Sequence, residues 1–161
     1  MARAQRNLYG CLVVFVCLIF TSVGIQAQEE EAFIQYRQKV MTSNGANMGA
    51  IGDIMKNKLP YQNHIAVHAQ EIQRMSTIIP DAFKKDIASG KTDAKPEIWK
   101  EWAKFTEAAN AMGLEAAELA KVAQGGSMEA ISAQVKKLSD SCGNCHKPYR
   151  KPKEESYKNK P

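Results

Sequence analysis

Near the C-terminal end, two thiols and an imidazole fall within five residues: Cys142-Gly143-Asn144-Cys145-His146. The spacing is C-x-x-C-H, the attachment signal of a c-type haem. The chemistry accounts for the spacing. Two thiols add to the two vinyl groups of one haem, and they reach both when they lie about one helical turn apart. The imidazole that follows the second thiol then falls under the ring as the proximal iron ligand. Two other uses of such a pair fit less well. A redox dithiol wants a strand before it, and no strand pattern precedes Cys142. A structural zinc site wants four ligands. The other histidines are His64 and His68, and the other cysteines, Cys11 and Cys17, fall in a segment expected to be removed.

The elements that must position this motif read as helices. Apolar residues recur at helical spacing over residues 29–55, where Phe33, Arg37, Val40, Met41, Asn44, Met48, Ile51 and Met55 form one stripe. Glu29, Glu30 and Glu31 stand at its start, where acids favour the positive end of the helix dipole. Gly45, Gly49 and Gly52 weaken this helix, which suggests close approach by something flat, a haem or a partner helix. A second helix is expected over 62–79, stopped by Pro80 and Asp81. A long connection, 82–95, centres on the turn-rich Ser89-Gly90-Lys91-Thr92. A third helix runs from Pro96 to about Ala123 and buries Ile98, Trp99, Trp102, Phe105, Met112 and Leu119. Gly125 and Gly126 end it, and Ser127 caps a fourth helix that carries Ile131, Val135, Leu138, Cys142 and His146. The fold class is therefore all-α: an antiparallel four-helix bundle with a covalently attached haem near the C-terminus.

The ends of the chain read differently. Residues 1–27 open with Arg3 and Arg6, continue with an apolar run from Leu8 to Phe20, and close on Ile25-Gln26-Ala27, the layout of a signal peptide that is removed. The apolar run is short for a membrane span. Residues 28–152 form the expected cytochrome domain, and residues 153–161 read as a flexible basic tail without fixed structure. The chain carries 22 Lys+Arg and 17 Asp+Glu, a net charge of +5. Loss of Arg3 and Arg6 lowers the excess to three, and two haem propionates would bring it close to neutral. Basic residues are scattered with no aromatic platform between them, so nucleic acid is not an expected partner.

On the fourth helix Cys142, Cys145 and His146 share a face, and Arg150, one turn further, could reach a propionate, stabilise the helix end through the dipole, or stand solvated at the surface. On the first helix Met41 is the candidate distal ligand, because a thioether opposite a histidine gives a six-coordinate iron suited to electron transfer. His64 and His68, four apart, read as a polar helix face. Lys136, Lys137, Lys147, Lys151 and Lys153 surround the motif and could form a rim for an acidic redox partner.

Three stretches together carry a resemblance: Tyr36-Arg37-Gln38-Lys39-Val40-Met41, Pro96-Glu97-Ile98-Trp99, and Cys142 through Arg150. In this order they resemble the class II c-type cytochromes, the family of cytochrome c′ and its low-spin relatives. The resemblance covers nearly all of residues 28–161. It implies a left-handed four-helix bundle, often homodimeric, in the periplasm, with one haem c held by two thioethers at Cys142 and Cys145. It also implies His146 as proximal ligand, Arg37, Gln38 and Arg150 around the haem's propionate edge, and Met41 at the distal position. The run from Met41 to Met48 is similar to the low-spin branch, where the distal Met binds the iron. In cytochrome c′ itself the distal residue only covers a five-coordinate iron. The expected function is thus a periplasmic one-electron carrier, without enzymatic activity or membrane attachment after signal cleavage, serving redox partner proteins. The alternative is a five-coordinate protein that binds nitric oxide or carbon monoxide. A peroxidase would want a distal His, and the first helix offers none.

Overall fold

The computed structural model describes residues 2–159, with side chains from residue 26 onward. The side chains of residues 1–25 of the expected signal segment, Cys11 and Cys17 included, and the last two residues of the expected tail lie outside that description. Five α-helices follow one another: α1 (Ala2–Lys56), α2 (Gln62–Phe83), α3 (Glu97–Lys100), α4 (Trp102–Val122) and α5 (Met128–Tyr149). α3 is a single turn that leads into α4, so the long elements are four, and they form the expected bundle. No strand occurs among the described residues.

α1 is longer than its apolar stripe predicts. It begins upstream of residue 29, so Glu29–31 stand inside it and not at its positive end. Glu29 instead accepts a 2.8 Å bond from Lys85, and Glu31 accepts from Gln35. The inner stripe is also turned at its upstream end: Ile34 is buried and Phe33 is exposed, with Lys85 Nζ 4.6 Å from the centre of its ring. α1 ends in a Schellman motif. Leu59 N–H bonds to Ile54 C=O (3.0 Å), Lys58 N–H to Met55 C=O (3.4 Å), and Lys58 takes the left-handed conformation at φ 51°. Gly45, Gly49 and Gly52 make no close approach within the chain; a Cβ on any of them would meet nothing within 4 Å.

Proline proves a weaker stop than expected. Pro80 lies inside α2, which runs on to Phe83. The missing N–H leaves one carbonyl a turn earlier without its helical donor, but Ala82 and Phe83 are buried in the core, and their packing keeps the last turn helical. Pro148 is likewise inside α5. The expected third helix is broken at Glu101 (φ −119°, ψ 41°). There the Trp99 indole N–H turns to Phe83 C=O at 2.8 Å, tying the short α3 to the end of α2. Ser127 caps α5 as expected, accepting from Ala130 N–H at 3.2 Å.

The core is one cluster that draws on all four long helices, with Ile51, Ile65, Ile72, Leu119, Ile131 and Leu138 fully enclosed. Packing runs in a series: α1 on α2, α2 on α4, α4 on α5. No comparable contact joins α1 to α5 among the described residues, so the ring of helices is open on that side.

The residues expected to form a structureless tail are in part ordered. Two 3₁₀ turns, Lys153–Glu155 and Tyr157–Asn159, follow α5. Composition suggested a solvated tail, but one side chain outweighs it. The Asp93 carboxylate accepts from the Ser156 hydroxyl and from Tyr157 N–H, each at 3.0 Å, and Ser156 is buried. Lys151 N–H adds a bond to Asp93 C=O at 2.8 Å.

Candidate haem site

α5 sets out the attachment motif. Helical spacing puts Cys142 and Cys145 on one face, and both are half-buried against the bundle core. Burial raises both thiols above their ordinary pKa. Cys145, further raised by the neighbouring Cys142, is pushed up to about 11. Both shifts favour the protonated thiol. Among the described residues no group of three or more His, Cys, Asp or Glu is placed to hold a metal ion. His146 keeps an exposed edge. Partial desolvation by the bundle, and then the charge of Arg150, lower its pKa, which favours the neutral imidazole that can bind iron.

α1 lies across the open side. Met41 and Met48 are half-buried and pack against the same core as the two cysteines. Arg37, on the same face, is almost fully enclosed at 2% exposure. Its Nη2 donates to Ile87 C=O (2.5 Å) and to Thr92 Oγ1 (2.8 Å). Its guanidinium carbon lies 5.4 Å from the Phe83 ring centre and 5.6 Å from that of Trp99. Burial lowers its pKa to about 10, opposed by the charge of Asp86. No carboxylate pairs with it at salt-bridge distance among the described residues. Gln38 Nε2 donates to Lys91 C=O at 2.6 Å. Arg37 and Gln38 thus both grip the connection between α2 and α3, a role the sequence reading missed. The signal was present in Thr92, a short polar residue beside a turn glycine, but nothing in the sequence pairs it with Arg37.

From the other side the end of α5 holds the same connection. Arg150 forms a short antiparallel bridge with Ala94, Lys95 N–H bonds to Tyr149 C=O at 3.0 Å, and Lys151 Nζ donates to Thr92 C=O at 3.0 Å. Tyr149 stands edge-on to Phe105 at 5.4 Å. The Arg150 side chain itself is exposed. The structure thus gathers Arg37, Gln38 and Arg150 around residues 87–94, and it sets Met41 and the two cysteines against one core. His64 and His68 stand apart from both. His64 stacks on Tyr61, and His68 Nδ1 lies 2.8 Å from Asn47 Oδ1. Of the basic rim, Lys136 is paired with Asp140, and Lys137 and Lys147 are exposed.

These residues fit a haem: two thiols one turn apart, an imidazole beside them whose burial favours its neutral form, a side of the bundle where the backbones of α1 and α5 stay apart, and a buried cation with no carboxylate partner. The comparisons with known proteins agree. The family described as cytochrome c′ matches residues 32–150. A cytochrome c′ of Rhodospirillum rubrum is 33% identical over 140 residues, covering 86% of this chain and 95% of the relative. A cytochrome c-556 of Rhodopseudomonas palustris is 27% identical, again over 86% of this chain and 95% of the relative. The solved nitric oxide complex of a cytochrome c′ variant from Alcaligenes xylosoxidans superposes with a TM-score of 0.66 at 27% identity, over 77% of this chain and 97% of that one. The chain belongs to the cytochrome c′ family, whose proteins carry one covalently bound haem c.

Proposed function

We propose that the protein is a periplasmic one-electron carrier whose haem is bonded to Cys142 and Cys145, with His146 and Met41 as the iron ligands. The observation that carries this reading is the shared packing of Met41, Cys142 and Cys145 against one core, from two helices whose backbones approach each other less closely than those of the other neighbouring pairs. The haem would supply a centre cycling between Fe(III) and Fe(II), accepting one electron from a reduced donor protein and passing it to an oxidised acceptor. The chain's own residues bind and insulate that centre, and no acid or base is needed. Arg37 supports the placing of a propionate, because a buried guanidinium without a carboxylate seeks an anion. Gln38 and Arg150 border the same edge. Exposed Lys137 and Lys147 on α5 would steer an acidic redox protein. Residues 1–27 would act as the export signal. No helix of the described residues is long and apolar enough to cross a membrane. The outward face of Gly45, Gly49 and Gly52 would accept a second copy, and sedimentation at micromolar concentration reports whether it does.

A second reading has a specific observation behind it: one solved relative was determined as a nitric oxide complex. In that case Met41 covers a five-coordinate iron and a diatomic gas is the ligand. The optical spectrum of the oxidised and reduced holoprotein, with and without carbon monoxide, separates the two. Met41 ligation gives a low-spin spectrum, a sulfur-to-iron charge-transfer band and slow carbon monoxide uptake, and Met41→Ala then converts the iron to high spin. A high-spin spectrum with ready uptake in the unaltered protein replaces the carrier by the gas binder.

A further inference from the structure

Among the described residues six polar or charged ones are buried: Arg37, Asn44, Ser76, Thr92, Gln134 and Ser156. Five have partners. Arg37 and Thr92 bond to each other. Ser76 donates to Gln73 C=O at 2.7 Å, Gln134 donates to the Glu115 carboxylate at 2.7 Å, and Ser156 donates to Asp93. Asn44 differs. It is 8% exposed, and both its Oδ1 and its Nδ2 are buried without a hydrogen-bond partner. A carboxamide enclosed in this way costs more than a leucine of similar size would, so it asks for a reason.

Its position supplies one. Asn44 stands on the inner face of α1, three residues after Met41 and four before Met48, one helical turn from each. Both methionines belong to the core-facing side that the haem reading assigns to the distal surface. We propose that Asn44 is the hydrogen-bonding residue of the distal pocket, whose Nδ2–H donates to the atom held on the α1 side of the iron. The chemistry sought is a weak acceptor in a dry, apolar setting: the sulfur of Met41, or the far atom of a diatomic ligand in its place. The inference rests on the haem lying between α1 and α5. It does not depend on whether Met41 ligates.

The test is therefore made where Met41 cannot ligate. Holoproteins carrying Met41→Ala and Met41→Ala with Asn44→Leu are reduced and saturated with carbon monoxide. The C–O stretching band and the dissociation rate are then measured. Loss of an amide donor is expected to raise the C–O frequency and to speed dissociation by about tenfold. Equal frequencies and equal rates in the two variants overturn the proposal and leave Asn44 as an interior polar group paired elsewhere. Asn44→Val in the same background gives the same comparison if leucine is not accommodated. In the unaltered distal side, Asn44→Leu alone reads the Met41 arm: a shifted sulfur-to-iron band means the amide bonds to the thioether. Failure of the carrier reading shows separately, in the spectrum of the unaltered protein.

Discussion

The α2–α4 crossing and the α1–α5 side are held by opposite means. Where α2 meets α4, the helices approach until Gly113 has no room for a side chain, since a Cβ there would collide with the Ser76 hydroxyl. That seam is closed by shape, with Ile72, Ile79, Met112 and Ala116 packed around it. α1 and α5 have no such seam. They are joined at one end, through the connection of residues 84–95, which α1 holds with Arg37 and Gln38 and the chain end holds with Lys151, Ser156 and Tyr157. Close packing fixes a distance by excluding everything else. A clasp of hydrogen bonds fixes it at one end without requiring the two helices to interdigitate, and a flat cofactor wants the second arrangement.

Four substitutions would break or sharpen this contrast. Arg37→Met should cost the most, about 2–4 kcal/mol, because it removes two bonds from a charged donor and leaves Ile87 C=O and Thr92 Oγ1 to find others. Chemical unfolding of the holoprotein measures it, and a loss below 1 kcal/mol would mean that the clasp contributes little. Gly113→Ala comes next, at about 1–3 kcal/mol for overpacking the closed seam. Combining it with Ser76→Ala should recover most of the loss. Gly49→Ala, at an open position of α1, should instead stabilise by about 0.5–1 kcal/mol. Equal effects of alanine at positions 49 and 113 would erase the distinction between the two sides. Asp93→Ala is the milder of the two losses in the clasp, at about 1–2 kcal/mol, since both of the bonds it removes lie beyond α5. Amide exchange should locate that loss in residues 150–157, and an effect spread evenly over α5 would count against a local clasp.

How much of this was legible beforehand depends on the range of the interaction. The four helices, their order and most of the core follow from periodicity, which is local, and the Ser127 cap follows from one side chain reaching three residues on. The attachment motif is local too, and it needed no tertiary knowledge. Pro80 misled because propensity treats a proline as a stop, whereas burial of Phe83 holds the last turn of the helix in place. The break at Glu101 and the ordering of residues 153–159 were hidden for a further reason. Each depends on a partner far along the chain, Phe83 C=O for Trp99 and Asp93 for Ser156. Arg37 was expected at the propionate edge, but its grip on residues 87 and 92, some fifty positions away, has no trace in its neighbours.

The Asp93 grip also bears on how the molecule comes apart. Chain ends fray first, and here fraying would begin at Tyr157 and Ser156, against the loop that Arg37 holds from the other side. A protease that trimmed the protein just after Lys151 would spare all the residues assigned to the haem. It would still remove a latch from the cofactor's surroundings, so the trimmed protein should keep its colour at first and lose its fold sooner on warming.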